Sequence, residues 1–228
     1  MFEILLIDLD DTILDFKKQE YVAIRKTLAD AGLEPTEAVC ARYSQINDWH
    51  WKQLEKGAIT RDEVLYGRFR VLFQEMDIAA DPISTSKAYM ENLGSGHFFL
   101  PGAEEAIRSL GQKYRVFLAS NGTSVVQKRR IASAGLEKLV EGIFISQDAG
   151  VNKPGKGFFD YCFAHISNFD MQKVLMVGDS LSSDILGGQN AGIPTCWVAP
   201  EEKSCTLEKA PTYRIESITQ LEALLESL

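Results

Sequence analysis

The chain has 228 residues, 45% of them hydrophobic and 25% charged, with a formal net charge of −8. That balance suits a soluble globular protein, either one large domain or a domain carrying an inserted module, with enough core to need no staple. It argues against a dedicated nucleic-acid surface, which is normally basic, but leaves small anionic substrates open, because a local positive pocket can exist on an acidic protein.

The first predicted element is a strand, Ile4-Leu5-Leu6-Ile7, running directly into Asp8, Asp10 and Asp11. Carboxylates are costly to desolvate without partners. At ~4 Å and an effective dielectric near 20, each like-charged pair costs roughly 4 kcal/mol. Some other part of the chain must offset that repulsion.

Residues 15–95 contain no convincing strand and read as helices over 17–31, 36–56, 61–77 and 83–92. Gly32 and Pro35 separate the first two, Gly57 stops the second, and Thr60-Arg61-Asp62-Glu63 forms a capping box for the third. In the third, Tyr66, Phe69 and Phe73 share one helical face, as core residues do. From residue 97 the pattern changes. Apolar runs RVFLA (115–119), GIFIS (142–146), KVLMVG (173–178), PTCWVA (194–199) and the weaker TYRIE (212–216) alternate with helices over 102–112, 123–134, 155–166 and 183–191. Ser217 and Gln220 suggest a capped final helix. Near-continuous apolar strands between helices indicate a parallel sheet covered on both faces. The predicted fold is therefore α/β: a Rossmann-like parallel sheet (1–14 and 96–228) with a helical cap inserted after its first strand (15–95).

No apolar run approaches the ~18 residues of a membrane span. The opening residues place no basic stretch ahead of an apolar one, so a cytoplasmic location is expected. Cys40, Cys162, Cys196 and Cys205 include no C-x-x-C pair and read as reduced thiols, and His50, His97 and His165 have no metal-ligand spacing.

In open parallel sheets, ligands bind beyond the carboxyl ends of the strands. Four polar clusters hold such positions: Asp8 to Thr12, Ser120-Asn121-Gly122, Asn152-Lys153-Pro154, and Gly178-Asp179-Ser180 with Asp184. Asp8 and Asp179 offer hard oxygen ligands suited to Mg²⁺, which would relieve the carboxylate repulsion. Lys153 adds a compact positive charge able to hold a phosphate and to favour ionised Asp8. Ser120 offers a hydroxyl, and the backbone N–H groups around Asn121 and Gly122 precede a helix, a ready anion site. Such a set suits phosphoryl transfer. Asp8 can attack phosphorus, while Asp10 protonates the leaving oxygen and later takes a proton from water. Taken singly, each cluster has a plainer reading: a solvated turn, a helix cap, or, for Asp184, an acid favoured by a helix dipole.

The order D-x-D-x-T (8–12), S-N-G (120–122), N-K-P (152–154) and G-D-S-x-x-x-D (178–184) resembles the haloacid dehalogenase superfamily of phosphatases, over essentially the whole chain. The resemblance implies that Asp8 is the nucleophile and Asp10 the acid/base. It places Mg²⁺ on Asp8, Asp179 and the Asp10 carbonyl, with Asp184 as an outer supporting carboxylate. Ser120, Asn121 and Lys153 would receive the phosphoryl group. Asp11 stands where many members carry Gly. By the same resemblance, residues 15–95 form a mobile cap that selects the leaving group.

The stretch NDWHWKQLEKGAITRDEVLYGRF (47–69), with LPGAEEAI (100–107) and GDSLSSDILGGQNAGIPTCW (178–197), is similar to the pyrimidine 5′-nucleotidases of this superfamily. That implies nucleoside monophosphates as substrates, with broad acceptance. Two residues apart on a helix, Trp49 and Trp51 diverge by roughly 200°, so one of them, or Phe16, is a candidate for stacking on a base. A sugar-phosphate phosphatase or a phosphomutase would use the same aspartate pair. A dehalogenase proper would need neither Asp10 nor Mg²⁺, and a non-enzymatic phospho-acceptor module would be about half this length. A monomer or homodimer is expected, with no nucleic-acid or membrane partner.

Overall fold

The computed structural model describes residues 1–228. The chain divides into two compact units, Met1–Asp15 with Phe98–Leu228, and Phe16–His97. In chain order, β1 (Ile4–Ile7) is followed by α1 (Phe16–Asp30), α2 (Glu37–Glu55), α3 (Arg61–Glu75), α4 (Pro82–Gly94) and α5 (Ala103–Lys113). Then come β2 (Arg115–Ser120), α6 (Ser124–Ser133), β3 (Gly142–Ile145), α7 (Ser146–Ala149) and α8 (Lys156–Ala164). The chain continues through β4 (Val174–Gly178), a π-helical turn (Leu181–Ile185), α9 (Leu186–Ala191), β5 (Thr195–Val198), β6 (Tyr213–Ile215) and α10 (Leu221–Glu226).

The six strands form one parallel sheet in the order β3-β2-β1-β4-β5-β6. Ile7 pairs with Leu118 on one side and Val177 on the other, so β1 is central. Strand order runs outward from β1 and then crosses from β3 to β4, which makes the β1/β4 boundary the switch point where such sheets hold ligands. Alternate residues of each strand feed the two faces. Leu5, Ile7, Val116, Leu118, Leu175 and Val177 pack with Ile107, Leu110 and Ile131 of α5 and α6. Ile4, Leu6, Phe117 and Met176 pack with Phe158, Phe159 and Cys162 of α8. Both faces being covered is the reason these strands carry so little polar alternation.

The residues after β1 make a tight turn. Ile13 and Leu14 donate to the Leu9 carbonyl, and Asp11 has a φ of +58°. Leu14 then bridges antiparallel to Phe99, and the Asp15 N–H donates to Phe98 O at 2.8 Å.

In the helical unit, the rings of Tyr43, Phe69 and Tyr89 meet at centroid distances of 5.1, 5.1 and 5.6 Å. Of the predicted stripe, Phe69 and Phe73 are buried, whereas Tyr66 stays half-buried at its margin. Arg68 is buried beside these rings and donates to Asn47 Oδ1 at 2.7 Å, while Asn47 Nδ2 donates to the buried Glu20 at 2.6 Å. One carboxamide thus links two buried opposite charges. The capping box of α3 is present: Glu63 N–H donates to Thr60 Oγ1 at 3.3 Å and Thr60 N–H to Glu63 Oε2 at 2.6 Å. No helix is long and apolar enough to cross a membrane.

Candidate active site

Asp8 continues β1 for one residue, its N–H donating to Val177 O at 2.9 Å. That ladder bond carries the carboxylate to the sheet rim between the ends of β2 and β4. Lys153 reaches the same point from the loop after α7. Its Nζ lies 2.6 Å from Asp8 Oδ1, 2.7 Å from Asp184 Oδ1 and 2.5 Å from the Ala119 carbonyl. Lys153 is buried, and an ammonium has three N–H donors, so all three are engaged; a phosphoryl oxygen arriving here would share one of them. The Lys153 backbone is gripped in turn by Asn121, whose Nδ2 donates to Lys153 O and whose Oδ1 accepts from Lys153 N–H, both at 2.8 Å. The Asn121 carboxamide therefore holds the Lys153 loop in place beside the S-N-G turn.

Asp179, after β4, is fixed through its main chain. Its N–H donates to Thr12 Oγ1 at 3.1 Å, and the buried Trp197 indole donates to its carbonyl at 2.8 Å. The π-helical turn then folds Asp184 back beneath β4: Ile185 N–H donates to Ser180 O at 3.1 Å, and Ser180 N–H to Asp184 Oδ2 at 3.1 Å. A β-carbon on Gly178 would stand 2.2 Å from Asp184 Oδ2, so glycine at this position is a condition of the fold-back.

Carboxylate oxygens of Asp8, Asp179 and Asp184 all lie within 4.8 Å of one another. Three carboxylates face one ammonium. Burial is the leading cause that raises Asp8 well above the usual carboxylate range; Lys153 opposes it, while Asp184, Asp179 and Asp10 add to it. Burial, with Asp184 and Asp11 nearby, pushes Asp179 up to about 8. Burial alone would depress Lys153, but Asp184 and Asp8 outweigh it and raise the ammonium above its ordinary value. A cluster of oxygen donors with excess negative charge and desolvated carboxylates fits a divalent hard cation.

Asp10 faces the opposite side of the rim, toward α6. Its Oδ1 accepts from Arg130 NH1 at 2.5 Å and its Oδ2 from Gln127 Nε2 at 2.8 Å. The same Gln127 nitrogen lies 2.7 Å from Ser120 Oγ. Gln127 and Arg130 are both buried, and sequence reasoning missed them. The available signal was their i, i+3 spacing on the helix that follows S-N-G, which puts both on one face.

The aromatic candidates all belong to the helical unit. Phe16 opens α1 and is half-buried. Trp49 is 55% exposed, its ring 4.9 Å edge-on from His50. Trp51 is half-buried, with the Arg61 guanidinium 5.7 Å from its centroid.

Comparison with known proteins matches residues 2–192 to the family described as haloacid dehalogenase-like hydrolase. The chain is 38% identical to YfnB of Bacillus subtilis, named as a HAD hydrolase, over 98% of this chain and 95% of the relative. A crystal structure of YfnB bound to magnesium, described as revealing interdomain movement, has a TM-score of 0.93 and covers 98% of each chain. Identity is 34% to the pyrimidine 5′-nucleotidase PynA of Streptococcus pneumoniae, covering 96% of this chain and 93% of that one. It is 31% to the pyrimidine 5′-nucleotidase YjjG of Escherichia coli, covering 96% and 95%.

Proposed function

Because the chain belongs to the haloacid dehalogenase-like hydrolase family, we propose that it is a Mg²⁺-dependent phosphomonoesterase working through an aspartyl-phosphate, with pyrimidine nucleoside 5′-monophosphates as its preferred substrates. The observation that carries this reading is the buried Asp8 carboxylate held 2.6 Å from Lys153, with a second carboxylate, Asp10, two residues away on the same rim.

Asp8, Asp179 and the Asp10 carbonyl would hold Mg²⁺, with Asp184 steadying the set. Bound there, the ion neutralises the clustered carboxylates and the developing charge on the phosphoryl oxygens. Lys153 orients Asp8 through Oδ1, so attack on phosphorus falls to Oδ2. As the ester P–O bond breaks, Asp10 passes a proton to the nucleoside oxygen. Water then attacks the phosphorus of the aspartyl-phosphate and gives a proton to Asp10, and inorganic phosphate leaves. One acid/base serves both half-reactions, a contribution of about 10²–10⁴ in rate. Ser120 and the main-chain N–H of Asn121 receive the phosphoryl oxygens just ahead of α6.

The nucleotide preference is supported by two relatives named as pyrimidine 5′-nucleotidases whose similarity runs across the helical unit as well as the sheet. Phe16, Trp49 and Trp51 are the proposed contacts to the nucleoside. Stacking contributes roughly 1–3 kcal/mol per base and tolerates many bases. Phosphate release from UMP, dUMP, dTMP, AMP and a set of sugar phosphates tests the assignment. The highest kcat/KM should fall on the pyrimidine monophosphates, with AMP accepted less well. A clear preference for a sugar phosphate would overturn the nucleotide reading while leaving the phosphatase reading intact.

A further inference from the structure

Ser120 Oγ is buried and accepts two hydrogen bonds, from Gln127 Nε2 at 2.7 Å and from the Gly122 N–H at 3.3 Å. A serine hydroxyl has two acceptor lone pairs and one proton. With both acceptor positions filled from behind, the remaining capacity of Ser120 is to donate, and a phosphoryl oxygen is the acceptor its place on the rim would meet.

The other Gln127 Nε2 proton goes to Asp10 Oδ2 at 2.8 Å, and Gln127 Oε1 accepts from Arg130 NH1 at 2.9 Å. This pattern settles the amide orientation. Turned over, the carboxamide would set its oxygen against the Asp10 carboxylate and its NH₂ against a guanidinium.

The S-N-G motif is shaped around the same side chain. A β-carbon on Gly122 would lie 2.2 Å from Gln127 Cγ. Gly122 is outside the left-handed region, so the close approach, not the backbone conformation, is what calls for glycine.

We propose that Gln127 is a positioning residue that turns Ser120 into a one-way donor toward the phosphoryl group and ties it to the acid/base Asp10, with Arg130 fixing its orientation and Gly122 giving it room. This rests on the phosphatase reading above. Losing Gln127 should then harm two quantities through two neighbours: phosphate affinity through Ser120 and turnover through Asp10.

Kinetics with UMP and Mg²⁺, inhibition by inorganic phosphate, and thermal melting test it on wild type, Gln127→Leu, Gln127→Glu, Gly122→Ala, Ser120→Ala and the Gln127→Leu/Ser120→Ala double variant. In Gln127→Leu, KM and the phosphate inhibition constant should each rise about tenfold, with kcat also falling. In the Ser120→Ala background the same change should raise KM and the inhibition constant no further, while kcat still falls, the non-additivity expected of residues in one network. Gln127→Glu, of nearly the same shape, should lose more than Gln127→Leu, because its carboxylate would draw the Ser120 proton inward and oppose Asp10. Gly122→Ala should reproduce the Gln127→Leu pattern with every polar group intact. Independent, additive effects of Gln127 and Ser120 on KM would overturn the assignment. So would a Gln127→Leu variant whose only change is a lower kcat matching a lower folded fraction. Wild type that releases phosphate from none of the monoesters overturns the phosphatase reading, and this assignment with it.

Discussion

Asp11 occupies a left-handed backbone position, φ +58°, in the turn just after the two catalytic candidates Asp8 and Asp10. That conformation costs most L-residues roughly 1–2 kcal/mol and glycine almost nothing, which accounts for the Gly that resembling proteins carry there. Aspartate is among the residues that tolerate it, yet its charge also helps raise Asp179. Asp11→Gly should therefore stabilise the chain by up to about 1 kcal/mol in denaturant unfolding and lower the proton affinity of Asp179; a clear loss of stability would contradict the strain argument. At this scale the sequence spoke unevenly. Asp8, Lys153, Asp179 and Asp184 were readable because each sits in a short motif at a predicted strand end. Gln127 and Arg130 were not, since Gln and Arg on a helix are ordinary surface residues until the helix is docked. Asn121 was readable as a loop residue, but its grip on the Lys153 backbone is a contact between segments 32 positions apart.

Among the elements, strands were legible where apolar residues ran continuously, because burial on both faces leaves little polar alternation to confuse the pattern. The weak run at 212–216 proves to be a three-residue edge strand, Tyr213–Ile215. The region at 183–191, predicted as one helix, is divided: a π-helical turn covers Leu181–Ile185 and α9 begins at Leu186. The extra residue in that turn follows from seating Asp184 against Gly178 and Lys153, which no local propensity encodes. The helix start at Thr60, by contrast, was written in four consecutive residues. Thr60→Ala should remove the hydroxyl that accepts from Glu63 N–H, leaving only the main-chain N–H to Glu63 bond of the capping box, and cost about 1 kcal/mol. Unfolding of the helical unit followed by Trp49 and Trp51 fluorescence checks this; an unchanged midpoint would show that packing, not capping, holds α3.

For the whole molecule, what matters at the rim is that three carboxylates, Asp8, Asp179 and Asp184, gather around the one ammonium of Lys153. Burial raises Asp8 well above its ordinary range and Asp179 to about 8 in the ion-free protein. The folded chain therefore holds protons that the unfolded chain releases above about pH 4. Stability from these groups is full below that pH and is lost as pH rises through about 8. Mg²⁺ held by these carboxylates would compete with those same protons, so its stabilising effect should grow across the window. Melting curves in EDTA and in excess Mg²⁺ should separate increasingly from about pH 5 to about pH 8; a separation that stays flat or shrinks would argue against a metal held by these carboxylates. The central claim is that Asp8 accepts phosphorus. Acid-quenched enzyme taken during turnover of UMP with Mg²⁺, digested and mapped by mass spectrometry, tests it most directly. The expected result is a phosphoryl adduct on the peptide carrying Asp8, with neither adduct nor phosphate release in Asp8→Asn. An adduct on another residue, or undiminished phosphate release by Asp8→Asn, would contradict it.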